Sequence, residues 1–179
     1  MNVLGICGSL RRQSKNMGML RYAQSHTPNG MTLEIADLSD LPFYNEDITQ
    51  KSPAVIALLD QMARADALLL SCPEYNYSIA PALKNALDWG SREPDNALLS
   101  GKAAAIMGAG GGMGTSRAQY HLRQVGVFLN LHFVNQPEVF CNAFAAGTFD
   151  DDGNLTDERI QHLIDQQLVA LQTFSQKLA

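Results

Sequence analysis

Ala67–Cys72 is a nearly continuous apolar run that stops at Pro73. A strand without polar alternation has both faces buried, as in the interior of a parallel sheet covered by helices on both sides. The rest of the chain supplies the partners such a strand needs. Val3–Cys7 is a second apolar run, and Met31–Ala36 sets Leu33 and Ile35 against Thr32 and Glu34. Lys102–Met107 reads as a fourth strand, and Leu131–Phe140 holds a fifth, expected at its Glu138–Phe140 end. Between them, Asn16–Gln24, Pro53–Arg64, Ala82–Trp89, Ser116–Leu129 and Thr156–Leu178 carry apolar residues at helical spacing. Pro81 suits the first turn of the third helix, and Asp157, Glu158 and Lys177 suit the dipole of the last. Strict alternation of strands and helices predicts an α/β fold: a five-stranded parallel, doubly wound sheet between two helical layers.

The chain has 179 residues, 46% of them apolar, enough for one domain spanning 1–179. It carries 13 basic and 18 acidic residues, net −5, with no basic tail or stripe of the kind that nucleic acid requires. Cys7, Cys72 and Cys141 are odd in number and widely spaced, so neither a disulfide framework nor a thiolate zinc site is expected, and a cytoplasmic setting is. Leu4-Gly5-Ile6-Cys7 superficially matches a lipoprotein cleavage box but lacks a charged leader and an apolar stretch before it. No apolar run approaches the roughly 18 residues of a membrane span. His26, His121, His132 and His162 share no ligand spacing.

Ligands of doubly wound sheets bind beyond the carboxyl ends of the strands. Three loops qualify: Gly8–Asn16, Pro73–Ala80 and Gly108–Thr115. The first joins a strand to a helix and holds Ser9, Ser14 and Asn16 with the cations Arg11, Arg12 and Lys15, which reads as a phosphate cradle. It is not a Walker A loop: the one Gly-Lys pair, Gly101-Lys102, has Asn96 and Ala103 where glycine and a hydroxyl belong. The third loop fails the dinucleotide fingerprint, because counting from Gly108 and Gly110 puts Met113 at the last glycine. A phosphatase loop built on Cys7 fails as well. Its arginine position is Gln13, with Arg12 one place short, and Cys7 reads as a small core residue. In the second loop, Tyr75 and Tyr77 beside free backbone amides suit a planar ring, so phosphate and ring together describe a mononucleotide such as FMN.

Several segments then carry a resemblance. Gly8-Ser9-Leu10-Arg11-x-x-Ser14-x-Asn16, Leu41–Asp47, Pro73-Glu74-Tyr75-Asn76-Tyr77-Ser78, Leu83–Trp89 and Arg117–Gln124 resemble the NADPH-dependent FMN reductase family, nearest its quinone and chromate reductases. The resemblance runs from residue 3 to about residue 140. It implies a flavodoxin-like fold holding noncovalent FMN, with NADPH or NADH as hydride donor and a quinone-like, chromate or azo acceptor. The implied phosphate site is Ser9, Leu10, Arg11, Ser14, Lys15 and Asn16; Pro73, Glu74, Tyr75, Asn76 and Tyr77 line the ring, and Gly108, Ala109 and Gly110 close its other edge. No side chain is nominated as a covalent catalyst. The family is generally dimeric or tetrameric, which makes Arg117, Tyr120 and Glu138 candidates for an interface between copies. A flavodoxin-type electron carrier is the first alternative, and a cysteine-based phosphatase on a related fold the second. A net charge of only −5, with cations at the cradle, fits the carrier's docking requirement poorly.

Overall fold

The structure, a computed structural model, describes residues 1–178. Its strands are β1 (Asn2–Cys7), β2 (Thr32–Ile35), β3 (Ala67–Ser71), β4 (Glu74–Tyr75), β5 (Ser78–Ile79), β6 (Ala103–Gly110), β7 (His132–Phe133) and β8 (Val139–Asn142). Its α-helices are α1 (Lys15–Ser25), α2 (Pro53–Arg64), α3 (Pro81–Gly90), α4 (Ser116–Leu129) and α5 (Glu158–Leu178). The main sheet is parallel with order β2-β1-β3-β6, and β7 and β8 both lie along the outer edge of β6.

The apolar run Ala67–Cys72 forms β3, buried at every position between β1 and β6. Its pleat sends Leu68 and Leu70 to one face and Ala67 and Leu69 to the other. On the first face, Leu58 and Met62 of α2, Leu83 and Leu87 of α3, and Ala118 and Leu122 of α4 close the core. On the second, Met19, Leu20 and Ala23 of α1 meet Ile160, Ile164, Leu168 and Leu171 of α5. Full burial of each such leucine contributes about 1.5–3 kcal/mol, so both helical layers are held mainly by apolar area.

The fifth strand, expected at Glu138–Phe140, is β8, and a further short strand, β7, precedes it. β7 pairs with Ala103–Ala104 at the start of β6, and β8 pairs with Met107–Gly110 at its end. Between them the chain leaves the ladder at Gln136–Pro137, where proline has no N–H to donate. The amide of Gln167, from α5, donates to Pro137 O and Ile106 O at 3.0 Å each and fastens this break to the sheet. β6 likewise runs to Gly110, past the expected end at Met107, because β8 supplies ladder bonds that override the weak strand propensity of glycine. Gly108 to Gly110 are therefore strand, and the glycine loop begins at Gly111. Among the described residues no helix is long and apolar enough to cross a membrane.

Candidate active site

A cleft of about 320 Å³ opens at the carboxyl ends of β1, β3, β6 and β8. Ser9, Arg11, Ser14, Lys15 and Asn16 form one side; Pro73, Glu74 and Tyr75 form the second, and Ala109 and Gly110 the floor. The three expected loops thus converge. Leu10, Asn76, Tyr77 and Gly108, also expected there, do not line it. Leu10 is 60% exposed beside a neighbouring hollow. Gly108 lies under Thr115 and Cys72 O, where an added Cβ would sit 2.1 and 2.5 Å from them. Gly111, in the third expected loop though not among its expected contacts, completes the lining with Ala143 and Phe144, which the sequence did not suggest. They follow β6 and β8, so the loop rule applied to the end of the fifth strand points at the last two.

The phosphate side is built around the first turn of α1. Ser14 caps it, its buried Oγ accepting from Met17 N–H at 3.1 Å. Ser9 is also buried and its Oγ accepts from Arg11 N–H at 3.4 Å. Both hydroxyls keep a proton to donate. The first N–H groups of a helix have no acceptor within it, which leaves those of Lys15 and Asn16 pointing toward the cleft end of α1. Lys15 Nζ donates to Ala143 O and lies 5.4 Å from the ring centroids of both Phe144 and Phe149. It therefore ties the loop after β8 to the cradle.

Asn16 has a different task from the one its position suggested. Its Nδ2 donates to Ala109 O at 2.9 Å and its Oδ1 accepts from Ala109 N–H at 3.0 Å, so the side-chain amide copies a strand pairing with β6. Ser71 Oγ donates to Asn16 O at 3.0 Å from beneath. Only the backbone N–H of Asn16 remains for a ligand.

Pro73–Ala80 is a β4–β5 hairpin, where the sequence suggested an open loop. Its turn, Asn76–Tyr77, has φ of 50° and 65°, the left-handed pair that a two-residue hairpin turn demands and that a tyrosine resists. Helix α4 holds it there. Arg117 Nε donates to Glu74 Oε1 at 2.7 Å, and Nη2 lies 2.5 Å from the same oxygen. The guanidinium stacks 3.7 Å from the Tyr77 ring centroid. Glu74 Oε2 accepts from Ala118 N–H at 3.2 Å in the first turn of α4, where a carboxylate also complements the helix dipole. Ser78 Oγ and His121 Nδ1, 2.8 Å apart, add a further tie. The Glu74 side chain is thus spent on α4, and what the hairpin offers the cleft is backbone and the half-exposed Tyr75 ring. Tyr120 donates to Glu138 at 2.8 Å within the same chain.

Cys7 is buried at the end of β1, and burial pushes its thiol above the ordinary 9.0. A nucleophilic cysteine needs the opposite shift, so the phosphatase reading has no reacting group.

The NADPH-dependent FMN reductase model matches residues 1–146. The chain is 51% identical to the NAD(P)H-dependent FMN reductase PA1204 of Pseudomonas aeruginosa, over 98% of this chain and 96% of that one. It is 48% identical to the NAD(P)H:quinone oxidoreductase of Solanum tuberosum, over 98% and 93%. Its fold superposes on FerB, a flavoenzyme NAD(P)H:(acceptor) oxidoreductase from Paracoccus denitrificans, with a TM-score of 0.83 at 29% identity, over 96% and 97% of the two chains. With its cradle, hairpin and glycine edge gathered on one cleft, this chain belongs to the NADPH-dependent FMN reductase family.

Proposed function

We propose that this chain holds FMN in the cleft and uses it to pass a hydride from NADPH or NADH to quinone-type acceptors. The carrying observation is the division of one cleft into an anion end and a planar end. Two buried hydroxyls, Arg11, Lys15 and the free N–H groups of α1 suit a phosphate monoester. Tyr75, the backbone of Pro73–Tyr75 and the strand end Ala109–Gly111 suit a flat ring with polar edges. An added Cβ at Gly111 or Gly112 would meet nothing within 4 Å, so this rim leaves room for a ring. The residues present fit the group.

Bound flavin supplies the hydride chemistry. The protein's part is to bind and to bias. Ser9, Ser14, Arg11 and Lys15 anchor the phosphate. The backbone of Glu74–Tyr75 and of Gly110–Gly111 lines the part of the cleft where the ring edge would lie, and fixed backbone dipoles there would favour negative charge as it develops. Asn16 sets the depth of the floor through Ala109. No side chain has to act as nucleophile or metal ligand.

We read the assembly as a homodimer or homotetramer in the cytoplasm. Tyr120, Val127 and Phe128 are exposed along α4 and offer an apolar face for a second copy. Arg117 pairs with Glu74 and Tyr120 with Glu138 within the chain, so of the three interface candidates it is the exposed Tyr120 ring that is offered to a second copy. The test is reconstitution. FMN-free protein should lack NADPH:quinone activity and regain it on adding FMN. Flavin uptake without reduction by either nicotinamide would point to an electron carrier instead.

A further inference from the structure

Arg12, counted with the cradle cations in the sequence, does not line the cleft. It borders a second hollow of about 290 Å³ on the other side of the same loop, with Arg11, Leu10 and Ser9 on one wall and Asp37, Leu38 and Ser39 after β2 on the other. Ser9 and Arg11 line both spaces, so a single loop separates them. Among the described residues neither guanidinium has an ion-pair partner. Asp37 is fixed by its own turn: Oδ1 accepts from Ser39 N–H at 2.9 Å and from Ser39 Oγ at 2.7 Å, which leaves Oδ2 for another donor. Those bonds hold its carboxyl below the ordinary 3.8, so it is ionised at neutral pH.

With Arg11 turned to the cleft, the free guanidinium of Arg12 and a fixed carboxylate, set on the apolar floor of Met17, Ile35 and Leu38, match the polar outline of a phosphorylated ribose. Arginines take phosphate through paired N–H donors, and a carboxylate at the end of the second strand can accept from the 3′-hydroxyl that a 2′-phosphorylated ribose leaves free. The location is decisive as well. A dinucleotide that sets its nicotinamide in the cleft must place its adenosine half outside it. Hollows of about 260 and 480 Å³ elsewhere open at the amino ends of the strands, around Asn2 and Thr32 and around Met1 and Lys102, and one of about 290 Å³ beyond Asp37 and Asp40 has no cationic side chain and shares no residue with the cleft. The hollow behind Ser9–Arg12 opens at the carboxyl ends and touches the cleft.

We infer that the Arg12–Asp37 hollow seats the adenosine 2′-phosphate of NADPH, with Arg12 binding the phosphate and Asp37 the ribose, so that Arg12 sets the preference for NADPH over NADH. This rests on the hydride-donor reading of the cleft. Asp37 repels the phosphate that Arg12 attracts, so the two residues act in opposite directions on nucleotide choice.

The experiment is calorimetric titration of the FMN-loaded protein with 2′,5′-ADP and with 5′-ADP, fragments that carry no nicotinamide. The native protein should bind 2′,5′-ADP about tenfold more tightly, in line with one charge-assisted contact at an exposed site. Arg12→Ala and Arg12→Gln should both erase the difference, while Asp37→Asn should widen it. Steady-state kcat/KM for NADPH relative to NADH should move in the same directions. Equal binding of the two fragments by the native protein would overturn the inference. So would an unchanged ratio in the Arg12 variants, or Arg12 and Asp37 variants that shift it the same way. Protein that fails to take up FMN, or whose flavin neither nicotinamide reduces, would overturn the proposed function itself. Normal turnover with an unmoved ratio removes only this subsite.

Discussion

Replacing Arg117 with alanine isolates the clasp between α4 and the β4–β5 hairpin. The guanidinium makes two charge-assisted contacts, of 2.7 and 2.5 Å, to a carboxylate that is only 8% exposed. Hydrogen bonds to charged groups contribute about 1.5–3 kcal/mol, and stacking on an exposed ring about 0.5–1 kcal/mol. The arginine itself is 43% exposed, so solvent screening pulls the sum toward its lower end. The remaining Glu74 carboxylate would keep the Ala118 N–H as partner but lose its countercharge. The net loss should be about 2–3 kcal/mol, which in a chain of this size lowers Tm by roughly 4–12 °C. The same change should weaken FMN binding about thirtyfold, because bound flavin would then have to reimpose positive φ at Asn76 and Tyr77, a cost of ~1 kcal/mol per residue. Thermal unfolding of FMN-free protein reads the first effect and quenching of flavin fluorescence the second. Arg117→Lys should recover part of the stability, since it keeps the charge but not the stacked fork. A Tm within 1 °C of the native value together with unchanged FMN affinity would refute the clasp.

Asn16→Ala should cost about 3 kcal/mol, read as a lower urea midpoint, because it orphans both backbone groups of Ala109 as well as removing two bonds; a loss below 1 kcal/mol would contradict the floor-setting role. Lys15→Met should weaken FMN binding about tenfold and riboflavin binding much less, because the lost contact is to the phosphate; equal losses for both flavins would place the lysine elsewhere. Burial pushes the Cys72 and Cys141 thiols up to about 12 from an ordinary 9.0, and raises that of Cys7. Folded thiols thus hold protons that unfolded ones release, so their contribution is full below pH 9.0 and lost as pH climbs toward 12. Urea stability should therefore decline from pH 9 upward, and the native protein at pH 8 should react with a thiol reagent only on the timescale of opening. Immediate stoichiometric labelling would show the thiols to be exposed.

The sequence was most legible where burial alone decides structure. The unbroken run Ala67–Cys72 and the helical stripes of Pro53–Arg64 and Ser116–Leu129 return as elements within a residue of their expected ends. It was least legible where a distant partner decides. Gly108–Gly110 read as loop by composition, yet β8 recruits them into β6. Leu131–Phe140 showed its strand at the Glu138–Phe140 end, which is β8, but not β7, which Pro137 and the Gln167 tie set apart. At the cleft, residue types showed the anion end but not the direction in which side chains are spent. Asn16 and Glu74 look like ligand contacts in one dimension. In three, their polar atoms serve Ala109 and α4. Phe144 escaped notice because nothing local distinguishes it; only its place after β8 and the Lys15 contact bring it to the rim.

The central claim is that this cleft holds FMN at its phosphate end and exposes its ring to both a nicotinamide and a quinone. Anaerobic stopped-flow of the FMN-loaded protein tests it directly, in two mixes followed near 450 nm, about where oxidised flavin absorbs. NADPH or NADH should bleach one flavin per chain, and a following pulse of benzoquinone should restore the colour at a rate that accounts for steady-state turnover. A protein that binds no FMN, a flavin that neither nicotinamide bleaches, or a bleached flavin that benzoquinone leaves reduced would contradict the account.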